Sequence, residues 1–193
     1  RSSDLQSTYN IEEANMIVAF FNYLVLNGIE ASKITVLTFY NGQRKRLLKL
    51  LQRVPNLAGR GPFKVFTVDS YQGEENDVIL LSLVRSNVHG TIGFLENKNR
   101  AVVALSRARR GMYIFGNCIN LLRSEAESYD FWFSVMMTMK SQGRFDITSG
   151  FPIVCSIHST ETMAESPVEL ENLTGGCGVK CNGMMPCGHN CRY

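Results

Sequence analysis

The sequence lacks both long hydrophobic runs and a phosphate-binding glycine loop. Its longest largely apolar run, Val78 to Val84, is far too short to span a bilayer, and Arg1 to Asp4 does not resemble a signal peptide. No GxxxxGK[ST] segment is present, so the chain has no loop of the kind whose backbone N–H groups cradle nucleotide phosphates. We therefore expect no contact with a membrane and no unaided binding of a nucleoside triphosphate.

A large excess of charge of one sign is also missing. The chain has 20 Lys and Arg against 17 Asp and Glu, a formal net charge of +3, which says little about nucleic acid. Hydrophobic residues make up 45% and charged residues 19% of the 193 residues, which excludes a disordered chain. This length suffices for one well-packed domain and an appendage.

Cysteine is scarce up to residue 150, where Cys118 stands alone, and concentrated after it. Close Cys and His pairs separated by loops are how short chains supply the four ligands of a zinc ion. Disulfides of a secreted module are the alternative, but the cysteine-poor segment before them favours a reduced, intracellular, metal-binding tail. The predicted zinc ligands are Cys155, His158, Cys177, Cys181, Cys187, His189 and Cys191.

The alternation of short apolar runs with amphipathic stretches predicts the α/β class. Strands are predicted at residues 34–39, 63–68, 78–84 and 112–115, and helices at 11–28, 42–54, 96–109, 119–124 and 129–140. The unbroken apolar third strand fits an open parallel sheet with helices on both faces. We predict such a domain over residues 1–148, incomplete at its N-terminal edge. A linker and the start of a Cys/His zinc-binding region are predicted over residues 149–193, with a loop at 159–174.

Polar side chains follow three of the predicted strands, at the mouth of the sheet where ligands bind in such folds. Neutral donors at these positions can grip a nucleic-acid backbone without a large positive charge. Helix capping is the alternative for each of them singly. The candidate nucleic-acid contacts are Thr38, Tyr40, Asn41, Gln43, Thr67, Asp69, Ser70, Arg85 and Asn87.

An arginine lies where the helix predicted at 96–109 runs into the fourth strand. Arg107 shares a helical face with Arg100, seven residues earlier, while Arg109 is predicted to point the opposite way. A planar, permanently charged guanidinium at this position can reach a γ-phosphate held by a neighbouring lobe. A surface ion pair is the alternative.

A tight turn at residues 72–75 is placed directly after a predicted strand and is interpreted as a second loop at the mouth of the sheet. Gly73 permits the bend, Gln72 offers an amide, and Glu75 offers a carboxylate that can accept a ribose hydroxyl or hold the arginine. A plain surface turn is the alternative reading of such a segment.

Three segments resemble motifs of the second RecA-like lobe of superfamily 1 helicases of the Upf-like group. Residues 34–47 resemble the motif I-T-P-Y-x-x-Q, residues 68–87 resemble motif V, and residues 94–117 resemble motif VI. The order and spacing of the motifs hold from about Asn10 to Lys140. Two residues depart from the pattern, because Phe39 replaces the usual proline and Glu74 stands where a basic residue is common.

The resemblance implies that this chain is the C-terminal motor lobe of an ATP-dependent RNA helicase or translocase. Arg107 matches the arginine finger, Glu75 the motif V carboxylate near the nucleotide, and Gln72 and Gly73 the same loop; Arg100 is grouped with these nucleotide contacts. In the family, ATP and Mg²⁺ are held mainly by the first lobe, whose motifs are not in this chain. The lobe by itself is thus expected neither to hydrolyse ATP nor to unwind a duplex.

The segment CGHNC at residues 187–191 resembles the opening of an NF-X-type zinc finger. Such fingers follow Upf-like lobes in a branch that includes fungal helicases of RNA-directed heterochromatin assembly. The resemblance implies zinc as a cofactor, single-stranded RNA and the first RecA-like lobe as partners, and protein partners at the zinc region. It also implies a role in RNA silencing and a nuclear or cytoplasmic location, with RNA granules included. The alternatives are a non-catalytic RNA- or protein-binding platform and the same motor acting on DNA.

Overall fold

A computed structural model of the chain describes residues 8–87, 91–122, 129–145, 150–155 and 158–173. Five of the predicted zinc ligands lie outside these residues: Cys177, Cys181, Cys187, His189 and Cys191. Of the helices within the described ranges, none combines the length and the apolar character that crossing a membrane requires.

Four strands of the described residues form a parallel sheet in the order β2-β1-β3-β4. They are β1 (Ile34–Thr38), β2 (Lys64–Thr67), β3 (Asn76–Ser82) and β4 (Ala108–Phe115). In the register of the sheet, Val36 of β1 lies between Val65 of β2 and Leu80 of β3. The predicted parallel sheet is confirmed, and its two central strands are buried at nearly every position because both faces of the sheet are covered.

Helices pack on both faces of this sheet, as predicted. The helices of this domain are α1 (Ile11–Leu26), α2 (Asn41–Leu51), α3 (Lys98–Leu105), α4 (Cys118–Leu122) and α5 (Tyr129–Ser141). Neighbouring residues of β1 point to opposite faces: Val36 joins the core formed with α1 and α2, and Leu37 joins the core formed with α3 and α5. The fold class is therefore the predicted α/β class.

The helix predicted at 96–109 is shorter in the structure, and that prediction is wrong at its end. α3 stops at Leu105, and β4 begins at Ala108 instead of Met112. Pairing with β3 ends the helix, because the N–H of Asn76 donates to the carbonyl of Arg107 at 3.1 Å and the strands pair from Ala108 onward. Sheet hydrogen bonds thus override the local helical pattern, and Arg107 lies in the short connection between helix and strand.

A loop is also predicted at 159–174, but the described part of that segment, residues 159–173, contains a strand and a helix. β5 (Phe151–Val154) and β6 (Glu161–Ala164) form an antiparallel pair, and α6 (Pro167–Asn172) follows. Ser166 and Glu169 form a capping box at the start of α6, with proline in its first turn. Serine, proline and glutamate at this spacing are a known helix-start pattern, and the polar composition of the segment concealed it.

These last elements pack on the sheet domain. The Phe151 ring lies 4.6 Å from that of Phe20 and 5.7 Å from that of Tyr113, measured between ring centroids. Ala164 and Leu170 are buried in the same core as α1. The described residues from 150 to 155 and from 158 to 173 thus contribute to the core of the domain that precedes them.

Replacing Leu170 by alanine is expected to destabilise the chain by about 2 kcal/mol, because a buried leucine would leave a cavity against α1. The Leu170 side chain is 2% exposed, whereas Val168 in the same short helix is 62% exposed. Val168→Ala is therefore the matched control and should change the free energy of unfolding by less than about 0.5 kcal/mol. Urea unfolding measures both variants, and equal losses would contradict the packing of α6.

Candidate functional site

The sheet divides the predicted site residues between two edges. The strands are parallel, so their amino ends meet at one edge and their carboxyl ends at the opposite edge. Residues 72–75 and Arg107 lie beside the starts of β3 and β4. We call this end of the sheet, with these residues, the amino edge. The interpretation that placed them at the mouth where strands end is wrong. The polar residues that follow β1, β2 and β3 do lie at strand ends, and we call that group the carboxyl edge.

At the amino edge, Arg107 is half-buried and held by its own chain. Its Nε donates to the carbonyl of Val103 at 2.8 Å, one terminal nitrogen to the carbonyl of Glu74 at 3.1 Å, and the other to the hydroxyl of Ser106 at 3.2 Å. A guanidinium has five N–H groups, so among the described residues one N–H on each terminal nitrogen makes no hydrogen bond. Two such donors on one planar group can contact two oxygens of a phosphate or carboxylate.

The turn beside Arg107 depends on a glycine. Gly73 has a φ of +81°, in the left-handed region that glycine adopts without strain. The turn presents the carbonyl of Glu74 to Arg107, while the side chain of Gln72 is exposed. The predicted tight turn at Gly73 is confirmed, and its backbone orients the arginine.

Glu75 binds a different arginine from the expected one. Its carboxylate accepts from Nε of Arg109 at 2.7 Å, and both side chains are about half exposed. Arg109 and Arg107 therefore both bond this turn instead of pointing opposite ways as predicted, because Arg109 lies on β4 and not on a helix. An exposed pair of this kind contributes at most about 1 kcal/mol. A ligand can thus displace Arg109 from Glu75 at little cost.

Arg100 does not join Arg107. It lies in the first turn of α3, where its Nε bonds the carboxylate of Asp69 at 3.0 Å and its guanidinium covers the ring of Phe94 at 5.0 Å from the centroid. Seven helical residues span roughly 10 Å along the axis. Arg100 therefore lies with Asp69 and not with Arg107, and its role as a nucleotide contact stays a prediction.

Several predicted nucleic-acid contacts serve local structure. Thr67 and Ser70 form a capping box at the exit of β2, which is the capping alternative that the sequence left open. Thr38 and Gln43 are fully buried. Thr38 accepts the N–H of Tyr40 at 3.3 Å, so it braces the exit of β1 from inside. Asn41, at the start of α2, is half-buried.

Tyr40 positions Arg85 at the carboxyl edge. The buried Tyr40 hydroxyl donates to the carbonyl of Ile92 at 3.3 Å and accepts from Nε of Arg85 at 2.9 Å and from the N–H of Phe94 at 3.2 Å. The Arg85 guanidinium lies 5.2 Å from the centroid of the Tyr40 ring. Within the described part of the chain, the terminal nitrogens of Arg85 make no hydrogen bond, so they can face a phosphate.

Asn87 forms hydrogen bonds with Asn120 of α4 and with Thr91. Its backbone N–H donates to the side-chain oxygen of Asn120 at 3.1 Å, and its side-chain amide donates to the carbonyl of Thr91 at 2.7 Å. Asn87 and Arg85 thus lie on one ordered surface at the exit of β3.

Glu13 is a buried carboxyl group that the sequence analysis did not identify. It is 8% exposed, and its carboxylate accepts from the hydroxyl of Ser82 and from the N–H of Val84 at 3.0 Å. Burial raises the pKa of Glu13 to about 7, although the hydrogen bonds from Ser82, Val84 and Leu83 oppose that rise. The signal in the sequence was its position four residues before Ile17 on the apolar face of α1.

The backbone N–H that donates to Glu13 lies in a strained turn. Val84 has a φ of +71°, and the N–H of Arg85 donates back to the carbonyl of Leu83 at 2.8 Å, which makes a γ-turn. A β-branched residue in this region costs about 1 to 3 kcal/mol and needs support from its surroundings. The side-chain amide of Asn10 adds to the support by donating to the carbonyl of Val84 at 3.3 Å.

Cys155 and His158 lie at the turn between β5 and β6. The Sγ of Cys155 is 3.6 Å from Nδ1 of His158. Two ligands of one tetrahedral zinc ion with ordinary Zn–S and Zn–N bonds are about 3.5 Å apart, so this spacing fits zinc. Among the described residues no group of three or more Cys, His, Asp or Glu is arranged to hold a metal. The partners that the sequence predicts for this pair are Cys177 and Cys181, outside those residues.

Comparisons with known proteins agree with the observed architecture. The family model of the AAA domain matches residues 1–119. NFX1-type zinc finger-containing protein 1 of Mus musculus is 39% identical over 188 residues, which cover 96% of this chain and 9% of that protein. The helicase required for RNAi-mediated heterochromatin assembly 1 of Schizosaccharomyces pombe is 48% identical over 133 residues, covering 69% of this chain and 13% of that protein.

RNA helicase aquarius of Mus musculus is 46% identical over 121 residues, covering 58% of this chain and 8% of that protein. The chain therefore spans about a tenth of the length of these relatives. The family model covers the segments that resemble motif V and motif VI, and the parallel sheet has helices on both faces. The chain belongs to the AAA domain family and is a RecA-like domain of the Upf-like superfamily 1 helicases.

Proposed function

We propose that this domain is the second, C-terminal motor lobe of an ATP-dependent RNA helicase or translocase, with Arg107 as its arginine finger. The observation that carries the proposal is the guanidinium of Arg107, which its own chain holds while one N–H on each terminal nitrogen makes no hydrogen bond to the described residues. Phosphoryl transfer spreads negative charge over the equatorial oxygens, and a pre-oriented arginine stabilises that charge without reorganisation. The names of two relatives, which include the word helicase, support the same class of activity.

The amino edge forms one wall of a nucleotide cleft in this proposal. A separate P-loop lobe holds ATP and Mg²⁺, since this chain has no such loop. Arg107 reaches the γ-phosphate, and the turn at Gly73 with Gln72 borders the nucleotide. Glu75 accepts a ribose hydroxyl after releasing Arg109, which the exposed ion pair allows.

The carboxyl edge forms part of the track for single-stranded RNA. Arg85 offers its terminal nitrogens to phosphates, and Asn87 orders the adjacent surface. β3 joins the two edges directly, because its seven residues span roughly 20 Å from Asn76 to Ser82. Closure of the two lobes on ATP therefore moves the amino edge and the track as one rigid body.

Zinc is proposed as a structural cofactor of the tail, with Cys155 and His158 as one pair of ligands. We expect the purified chain to carry zinc and Cys155→Ser to lower the zinc-to-protein ratio, because one thiolate of the site would be lost. Atomic absorption after exhaustive dialysis measures the ratio. Cys118→Ser is the matched control, since Cys118 lies on α4 in the sheet domain. A ratio that Cys155→Ser leaves unchanged would remove Cys155 from the site.

The test of the proposed function is ATP hydrolysis by a protein that joins this chain to a P-loop lobe, with and without single-stranded RNA. Stimulation by RNA supports the motor. Folded protein that binds RNA without any hydrolysis supports the non-catalytic platform, and equal stimulation by DNA of the same sequence argues against an RNA-specific track. Protein partners at the zinc region and a nuclear or cytoplasmic location belong to the same proposal.

A further inference from the structure

The exit of β3 carries backbone strain at the point where the proposed RNA track begins. Val84 occupies the left-handed region with a φ of +71°. The residue before it is anchored, because the N–H of Leu83 donates to the carbonyl of Phe115 on β4 at 2.9 Å. A relaxation of Val84 to a negative φ must therefore redirect the chain after it, where Arg85 lies.

Residues from two helices hold this turn from the interior. Glu13 of α1 accepts the N–H of Val84 with both oxygens, at 3.0 and 3.2 Å, and also accepts the hydroxyl of Ser82. Gln43 of α2 donates to the same hydroxyl at 3.0 Å and accepts the N–H of Asn10 at 2.9 Å. The Val84 N–H thus bonds a carboxylate from a helix that is distant in the sequence, and not a partner in the sheet.

We propose that Glu13 is a positioning residue for the RNA track: its carboxylate holds the strained turn at Leu83–Arg85 and so fixes the direction of Arg85. The inference rests on the proposed function, since it assigns Glu13 a role in RNA binding through Arg85. Glu13 itself is buried and does not touch the RNA.

The geometry separates this role from ordinary capping of a helix. A first-turn glutamate that only complements the helix dipole is exposed and needs no partner on another element. Glu13 instead bonds the last residue of β3 and the residue two positions beyond it. The contact between Arg85 and the Tyr40 hydroxyl depends on the same backbone direction, so release of the turn also breaks that contact.

The test uses the protein that joins both motor lobes and a fluorescein-labelled oligouridine, with the dissociation constant measured by fluorescence anisotropy. Glu13→Ala should raise the dissociation constant about tenfold, the loss of one well-placed arginine contact to the track. Glu13→Gln should retain affinity, because its remaining oxygen can accept from Ser82 and Val84. The control Val25→Ala damages the core at the far end of α1 and should leave the affinity unchanged.

A double-mutant cycle with Arg85→Ala tests whether Glu13 acts through Arg85. The double variant should bind RNA no more weakly than Arg85→Ala alone, and strictly additive losses would overturn the inference. If circular dichroism shows that Glu13→Ala does not fold, Glu13→Asp takes the place of Glu13→Ala in the cycle. This variant keeps the carboxylate but shortens the side chain by one methylene. If the wild-type protein binds RNA and is stimulated by it, and Glu13→Ala binds RNA with the same dissociation constant, the positioning role alone is overturned. A wild type that neither binds RNA nor is stimulated by it overturns the proposed function and this inference together.

Discussion

Arg107→Ala is expected to lower the RNA-stimulated rate of ATP hydrolysis by about 10³-fold or more, the usual effect of removing an arginine finger. The guanidinium is oriented in advance by the carbonyls of Val103 and Glu74 and by Ser106, so its two remaining donors need no rearrangement at the transition state. Because the contact strengthens as charge develops, the loss should fall on kcat and leave the KM for ATP nearly unchanged.

Two further variants sharpen that experiment. Arg110→Ala removes an exposed arginine from β4, three residues after Arg107, and should change the rate by less than about twofold if only local charge is lost. Arg107→Lys keeps the charge but loses the planar fork, and it should remain at least tenfold slower than the wild type, on the order expected for a lost bidentate contact. Equal rates of ATP hydrolysis for Arg107→Ala and the wild type would show that Arg107 has no part in catalysis. Its hydrogen bonds to Val103, Glu74 and Ser106 would then have a structural role only.

The sequence predicted the sheet and its covering helices because burial on both faces leaves a strong local pattern. β1 and β3 each contain a short, largely apolar run and are buried at nearly every position, and α1 repeats apolar residues at helical spacing. The end of α3 was not predictable in the same way. Local propensity favours helix through Arg107, and the decision comes from pairing with β3, whose start is thirty residues earlier in the chain.

The candidate site shows the same division. Arg107 and Gly73 were identified by sequence because motif spacing and a glycine turn are local features. The ion pairs of Glu75 with Arg109 and of Asp69 with Arg100 depend on which strand or helical turn each arginine occupies. They were not predicted, because the sequence placed the end of the helix too late. Glu13 was missed for a different reason: its partners, Ser82 and Val84, are about seventy residues away, and no local pattern announces them.

Glu13 should make the stability of the chain fall as the pH rises from about 4.5 to 7. The pKa of its carboxyl is raised from 4.5 to about 7 in the folded protein, chiefly because burial disfavours the charged form. In this pH interval the unfolded chain has released the proton and the folded chain retains it, so each step up in pH favours unfolding. The shift corresponds to roughly 3 kcal/mol for this single group. Urea unfolding across the interval measures the free energy of unfolding.

Glu13→Gln isolates that contribution, because glutamine is neutral at every pH and keeps one acceptor oxygen for Ser82 and Val84. The free energy of unfolding of the variant minus that of the wild type should grow by roughly 3 kcal/mol between pH 4.5 and 8. Glu12→Gln removes an exposed carboxylate from the same helical turn and should not reproduce this growth. A constant difference for Glu13→Gln would show that the carboxyl is ionised over the whole range. Its bonds to Ser82 and Val84 would then outweigh the cost of burial, and the turn at the RNA track would be held by a permanent charge.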